Sequence, residues 1–300
     1  MTHITVLLQQ TIDGLGIEIG DIIVDGTLGG GGHSEEIARR HGDSVRIIGI
    51  DKDEAAIERS RARLTRHKTP FSLHHESFRN LDRVMEKEGL SEVHKILLDL
   101  GLSSNQFEES GRGFTFQKDE PLLMTFKENL TEEDLTAKEI VNTWEEANIA
   151  DIIYGYGEER YARKIAKAII EARKKKPIET TFELVEVVKR ATPVSYHFRK
   201  IHPATKTFQA LRITVNDEVG SLRDGLSKGF KALAKHGRMA IISFHSIEDR
   251  IVKNFYRDLA KAEEGILITK KPIVPSIEEV KENPRSRSAK LRIIERSNIG

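Results

Sequence analysis

Ile22-Ile23-Val24-Asp25-Gly26-Thr27-Leu28-Gly29-Gly30-Gly31-Gly32-His33-Ser34 joins an apolar run to a charged, helix-like stretch that continues through Glu35 to Arg40. The apolar run reads as a strand and the charged stretch as a helix, which puts the glycines in the turn between them. Four consecutive glycines are costly in chain entropy, so a merely flexible turn explains them poorly. Glycines let a backbone take positive φ angles and come close to a ligand. Open parallel sheets bind ligands beyond the carboxyl ends of their strands, where this turn falls. A P-loop needs Lys after its last glycine, whereas His33 and Ser34 follow Gly32. Dinucleotide spacing fails as well: counted from Gly29 and Gly31, the third glycine would fall on Ser34. The ligand that fits is a nucleoside without a pyrophosphate.

Outward from this turn, short apolar runs alternate with helical patterns. Arg46 to Asp51, Phe71 to His74 and Lys95 to Asp99 read as further strands, and Asp53 to Leu64 as a helix. Nearly continuous apolar strands alternating with helices predict an α/β fold whose parallel sheet is covered on both faces. Asp51 ends the second strand about twenty residues past the glycines, where an acid accepts hydrogen bonds from ribose hydroxyls. Its alternative role is a helix N-cap. Asp99 ends the fourth strand on the same rim, or serves as a turn residue before Gly101.

The alternation stops near Asn105, and a glycine-, proline- and charge-rich loop runs to about Asn129. Thr136-x-x-Glu139 and Thr180-x-x-Glu183 then have capping-box spacing. Glu158 to Lys175 predicts a helix with Ala162, Ile165, Ile169 and Ala172 on one stripe, ended by Pro177. The sheet pattern returns with a helix from Asp217 to Lys235, a strand from Arg238 to Phe244 and a helix from Ile247 to Leu259. Ile266 to Ile268 and Leu291 to Ile294 are candidates for a closing antiparallel pair. The expected organisation is a sheet domain in two parts, 1–109 and 205–300, interrupted by a helical insert, 110–204.

Charged residues make up 32% of the chain, yet 48 Lys and Arg against 47 Asp and Glu leave a net charge of +1. A uniform basic coat is excluded, so any polyanionic partner must meet a local basic face. With no cysteine, disulfides and thiolate metal sites are excluded. The spacing of His3, His33 and His245 does not support a metal. No signal-peptide pattern opens the chain and no apolar run approaches the ~18 residues of a membrane helix. A cytoplasmic protein with no membrane partner is expected.

Several runs, in order, resemble the ribosomal RNA small subunit methyltransferase H family. They are His3 to Leu8, Asp25 to Ser34, Asp99-Leu100-Gly101-Leu102-Ser103-Ser104, Arg112-Gly113-Phe114-Thr115-Phe116, Tyr156-Gly157-Glu158-Glu159-Arg160, His202 to Ile213, Phe244 to Arg250 and Asn283 to Ser288. The resemblance implies a Rossmann-like S-adenosylmethionine-dependent methyltransferase sheet with a helical insert for substrate recognition. It implies N4-methylation of a cytosine in the decoding centre of 16S ribosomal RNA, with the small ribosomal subunit as partner. The family's cofactor contacts fall on Gly31, Gly32, His33, Asp51, Phe78, Asp99 and Gln106. Phe78 would pack on the adenine ring, or belongs simply to the core. One departure stands out. The family's Asp-Met-Arg-Met-Asp run is replaced by Leu122-Leu123-Met124-Thr125-Phe126-Lys127, with both carboxylates and the arginine gone. A noncatalytic RNA-binding or ribosome-assembly protein on the same fold is the alternative this departure motivates.

The missing cysteine bears on the chemistry, because methylating a pyrimidine ring carbon commonly needs a thiolate adduct. Transfer to nitrogen or oxygen remains. Asp99 is the best-placed carboxylate to accept a hydrogen bond from an exocyclic amine and later its proton. For RNA, Arg160, Arg163, Lys164, Lys167 and Lys174 are expected on one helix side. Arg285, Arg287, Lys290 and Arg292 add a basic stretch. Arg112, His245 and Arg250 are further substrate candidates, although Ser246-x-x-Asp249 also has cap-like spacing there. The glycine spacing is testable alone. Calorimetry should show heat with S-adenosylmethionine and none with NAD, and heat from the dinucleotide alone would overturn the reading of the turn.

Overall fold

The computed structural model describes residues 4–101, 110–127 and 129–298. The chain opens with α1 (Leu8–Leu15), followed by β1 (Ile22–Asp25), α2 (Gly32–His41), β2 (Arg46–Asp51), α3 (Glu54–Leu64), β3 (Phe71–His75), α4 (Leu81–Glu88) and β4 (Val93–Asp99). Helices follow: α5 (Ala137–Thr143), α6 (Glu146–Gly155), α7 (Ala162–Arg173), α8 (Thr181–Ala191), α9 (Val194–His197), α10 (Thr205–Val215) and α11 (Glu218–Ala232). The chain closes with β5 (Leu233–Ser243), α12 (Ser246–Lys261), β6 (Gly265–Leu267), α13 (Ile277–Glu282) and β7 (Lys290–Arg296).

The seven strands form one sheet in the order β3-β2-β1-β4-β5-β7-β6. The pairs from β3 to β5 are parallel, and β7 runs antiparallel to both β5 and β6. The expected closing pair therefore forms. Alternate strand residues serve opposite faces of the sheet. Val24, Ile48, Ile96 and Ile241 pack with Leu81, Leu222, Phe230 and Tyr256 on one side. On the other, Ile23 and Ile47 pack with Ile12 and Ile37, and Leu97 and Ile242 with Leu15 and Leu291. Burial on both faces explains why these strands read as continuous apolar runs.

The chain divides into two compact units, Met1–Gly101 with Val219–Gly300, and Leu102–Glu218. The second has its own core, including Ile140, Ile153, Ile165, Leu184, Phe208 and Leu211. It extends past the expected boundary at 204 because Phe208 and Leu211 of α10 are buried in that core. Thr180 and Glu183 form the full capping box, whereas at Thr136 the hydroxyl accepts from the Glu139 amide. The helix expected from Glu158 begins instead at Ala162, because Glu158 has φ 51° and Tyr161 is the N-cap. Ala162, Ile165 and Ile169 form its buried stripe, with Ala172 packed against the core. Among the described residues no helix is long and apolar enough to cross a membrane.

One polar cluster pins β7 to α12. Asp249 accepts from Arg292 Nε at 2.7 Å and Lys290 Nζ at 3.0 Å, with Arg292 8% exposed. This corrects the expectation that Lys290 and Arg292 belong to a free basic face. Burial acts to raise the Asp249 pKa, but the bonds from Arg292 and Lys290 outweigh it and hold the carboxyl below its usual range. The cluster's stabilisation is therefore complete above the unfolded-state value of about 3.9 and is lost as pH falls through the depressed folded value. Asp249→Ala leaves the buried Arg292 guanidinium uncompensated, while Lys290, 39% exposed, can turn to solvent. It should lower unfolding free energy by ~3–5 kcal/mol at neutral pH, read by urea denaturation, with the gap narrowing in acid.

Candidate active site

The order of the strands reverses between β1 and β4, so the carboxyl ends of β1, β2 and β4 share one rim, the ligand position of open α/β sheets. The rim is tied together locally. Thr27 Oγ1 accepts from the Asp99 amide at 2.6 Å, the Gly26 amide donates to Leu97 O, and the Leu28 amide to Ile50 O. Three carboxylates end the three strands: Asp25, Asp51 and Asp99.

Each carboxylate is held differently. Asp25, 1% exposed, accepts from Ser34 Oγ at 2.7 Å and from the Thr27 amide at 3.3 Å. Burial, only partly offset by these bonds, raises its pKa to about 6. Asp51 accepts from the Gly29 amide at 2.7 Å and the Asp53 amide at 2.9 Å, one bond to each oxygen. Burial again raises its pKa. Asp53, not Asp51, caps α3, so the alternative role for Asp51 is already filled. The Asp99 side chain is 20% exposed, yet its Oδ1 is buried and has no hydrogen-bond partner among the described residues. His33 Nδ1 stands 3.8 Å from Asp99 Oδ2. Burial, with the charges of Asp25 and Glu248, pushes the Asp99 pKa well up.

The glycines divide in role. Gly31 caps α2 with φ 74°, and a side chain there would meet Ser60 Oγ at 2.7 Å. At Gly32 a Cβ would lie 1.9 Å from Thr5 Oγ1, so close packing forbids it. A Cβ on Gly30 would meet nothing within 4 Å, so this part of the turn faces open space. α2 starts at Gly32 with no side-chain cap among the described residues, and the partial positive charge of a helix N-terminus attracts anions. Phe78, half-buried in the 3-10 turn after β3, touches α11 closely: a Cβ on Gly225 would lie 2.5 Å from Phe78 Cδ2. Gln106, like His3, lies outside the described residues.

The substrate candidates scatter. Arg112 donates through Nη1 to Phe126 O at 3.0 Å and Lys127 O at 2.9 Å, so part of its guanidinium clamps its own loop. His245, rather than Ser246, is the N-cap of α12, because its Nδ1 accepts from the Glu248 amide and Glu248 reaches back in a capping box. Arg250 is exposed on α12, and Arg285 and Arg287 are exposed in the 3-10 turn Pro284–Ser288. Arg163, Lys164 and Lys167 are exposed on α7, whereas Arg160 precedes the helix. The altered segment is built into the helical core: Leu122 and Met124 are buried, and Asn216 bonds Met124 O and the Phe126 amide. Asp25 and Thr27 lie within the glycine-turn motif, yet residue order alone gives them no separate role. Their signal was position alone, a carboxylate at a strand end two residues before a hydroxyl.

A doubly wound sheet with an antiparallel seventh strand, a glycine turn after β1 and acids ending β2 and β4 is the architecture of a Rossmann-like methyltransferase. Residues 1–297 match the MraW methylase family, and the chain belongs to that family. It is 44% identical to the ribosomal RNA small subunit methyltransferase H of Clostridium botulinum, covering 97% of both chains. It is 45% identical to the protein of that name from Sulfurihydrogenibium, over 97% of this chain and 98% of the relative. Among solved structures, the N-methyltransferase NodS of Bradyrhizobium japonicum aligns with a TM-score of 0.43 at 10% identity, over 97% of this chain and 94% of the other.

The raised Asp99 pKa has a consequence for stability. An acid whose folded pKa exceeds its unfolded one costs nothing below the unfolded value of about 3.9 and destabilises increasingly as pH rises toward the folded value. Asp99→Asn should therefore raise the melting temperature at pH 7–8, and the advantage should vanish near pH 4. A variant melting below wild type across that range would contradict the electrostatic account.

Proposed function

We propose that the chain transfers a methyl group from S-adenosylmethionine to the exocyclic N4 of a cytosine in the decoding centre of 16S ribosomal RNA, with the small ribosomal subunit as its partner. The observation that carries this reading is the buried Oδ1 of Asp99, without a hydrogen-bond partner among the described residues, beside the glycine turn of a chain in a methylase family. The names of the relatives support the RNA, and such a substrate puts the reaction in the cytoplasm.

The residues present fit the cofactor. Asp25 and Asp99 make an acidic, poorly solvated rim whose raised pKa values suit a positively charged ligand. The uncapped start of α2, with Gly31, Gly32 and His33, suits the methionine carboxylate. Asp51 keeps a second lone pair on each oxygen for the ribose hydroxyls. Phe78 offers a face to adenine; Gln106, which the family resemblance adds, lies outside the described residues. When bound, the cofactor supplies an electrophilic methyl on a sulfonium.

Asp99 is the catalytic residue of the proposal. Its carboxylate accepts a hydrogen bond from the cytosine amine, which draws the nitrogen lone pair out of conjugation with the ring. With the methyl group supplied by the bound cofactor, Asp99 would take the proton that the amine gives up. Positioning in a water-poor pocket supplies much of the rest. The helical unit carries substrate recognition, with Arg112, Arg160, Arg163 and Lys167 toward RNA, and Arg250, Arg285 and Arg287 add phosphate contacts. His245 orients the start of α12 beside the substrate.

Nucleoside mass spectrometry of ribosomal RNA from cells lacking the protein should show N4-methylcytidine species lost, and their persistence would sink the assignment. On purified small subunits, Asp99→Asn should cut turnover by ~10²–10⁴-fold. The wild-type kcat/KM should fall as pH drops through a limb above the ordinary carboxylate range, and the variant should lack that limb.

A further inference from the structure

The segment between α8 and α10 stands out in a chain whose charges otherwise balance. From 187 to 216 there is no Asp or Glu, while Arg190, Arg199, Lys200 and Lys206 are present together with Lys189 and Arg212, which pair with Glu186 and Glu218 just outside it. Against it lies the turn before α7. Glu159, fully buried, accepts from Tyr196 Oη at 2.5 Å and from the Tyr161 amide at 2.9 Å. The two tyrosine rings meet edge to face at 5.1 Å. On this anchored pair rest two guanidiniums. Arg160 lies 4.6 Å from the Tyr161 ring and 5.4 Å from that of Tyr196, and Arg199 lies 4.9 Å from Tyr196. Arg160 also donates to Tyr161 Oη at 2.9 Å, and Lys164 Nζ lies 5.9 Å from the Tyr161 ring.

The arrangement presents cations rather than neutralising them. Arg40, Arg46, Arg63, Arg79, Arg238 and Arg292 are each held by a carboxylate. Among the described residues no carboxylate pairs with Arg160, Lys164 or Arg199. The one acid at the centre, Glu159, is spent on Tyr196 and Tyr161. Stacking on aromatic faces pre-organises a guanidinium fork, and phosphate is the planar-fork acceptor it matches. Phe198 is 85% exposed between the α9 helix and Arg199. An exposed aromatic flanked by cations is the pairing by which proteins stack unpaired bases along a phosphate track.

We infer that Arg160, Arg199 and Lys164, mounted on Tyr161 and Tyr196, form a phosphate-binding site for single-stranded RNA, with Phe198 as the platform for an adjacent unpaired base. This deepens the proposed function and rests on its assignment of an RNA substrate. It differs from a charged helix face in its residues: Arg199 and Phe198 lie outside α7, and Glu159 is a positioning residue that fixes the rings.

The test is fluorescence anisotropy with a labelled single-stranded oligoribonucleotide and an abasic oligomer of equal phosphate number, each titrated across a salt series. The double variant Arg160→Ala/Arg199→Ala should flatten the slope of log affinity against log salt by about 1–1.5 on both oligomers, two phosphate contacts' worth. Phe198→Ala should weaken binding about tenfold on the base-bearing oligomer, leave the abasic one unaffected and keep the wild-type slope. Circular dichroism and affinity for S-adenosylmethionine should match wild type in both. Unchanged slopes in the double variant, equal Phe198→Ala losses on both oligomers, or no binding by wild type overturns the inference. Methylation of small subunits by wild type, assayed in parallel, reports separately on the proposed function. Turnover with unchanged slopes sinks this site alone, and absent turnover sinks the reading beneath it.

Discussion

The hydrogen bond from the Asp99 amide to the Thr27 hydroxyl, 2.6 Å long, joins the ends of the first and fourth strands where the sheet changes direction. Everything at the rim depends on that closure. β1 has β2 on one side and β4 on the other, so the residues that end all three strands face one crevice. Asp25, Asp51 and Asp99 are thereby collected from positions far apart in sequence. Collecting them is unfavourable, since burial raises all three pKa values and neighbouring carboxylates add to it. The Ser34 hydroxyl and the Gly29 and Asp53 amides offset part of this. What remains uncompensated is concentrated at Asp99, the pattern expected where a site is organised for a ligand rather than for stability.

The helical unit solves a different problem. Its core is built from α5 to α8 and α10, and the replaced segment from Leu122 to Lys127 takes part in it through Leu122 and Met124. Arg160 and Arg199, which pair with no carboxylate among the described residues, lie on the two tyrosines that Glu159 anchors. Segregation of charge, not its total, is what a polyanion-binding face requires.

Much of the sheet was legible from residue order. The second strand was read at Arg46–Asp51 and the helix after it at Leu64's end, because periodicity and a nearby Asp cap are local signals. Errors came where contacts between distant segments decide. Glu158 to Tyr161 has a helical pattern but turns instead, since Tyr161 and Tyr196 both bond to Glu159. Lys290 and Arg292 look like free cations until Asp249 of another element is brought against them. His245 displaced Ser246 as the cap because an imidazole nitrogen can accept the amide that a hydroxyl more often takes.

The amino-acid sequence by itself determined the alternation of strands and helices, the glycine turn, the rejection of phosphate and dinucleotide ligands, and the resemblance to a methylase family. Those are properties of neighbouring residues, set by side-chain period and backbone freedom. Only the tertiary structure decided that, among the described residues, Asp99 Oδ1 has no partner and certain cations have no carboxylate, and that Gly31 and Gly32 are forced by Ser60 and Thr5. Burial and pairing depend on what the fold brings from elsewhere in the chain, and residue order does not carry that information locally.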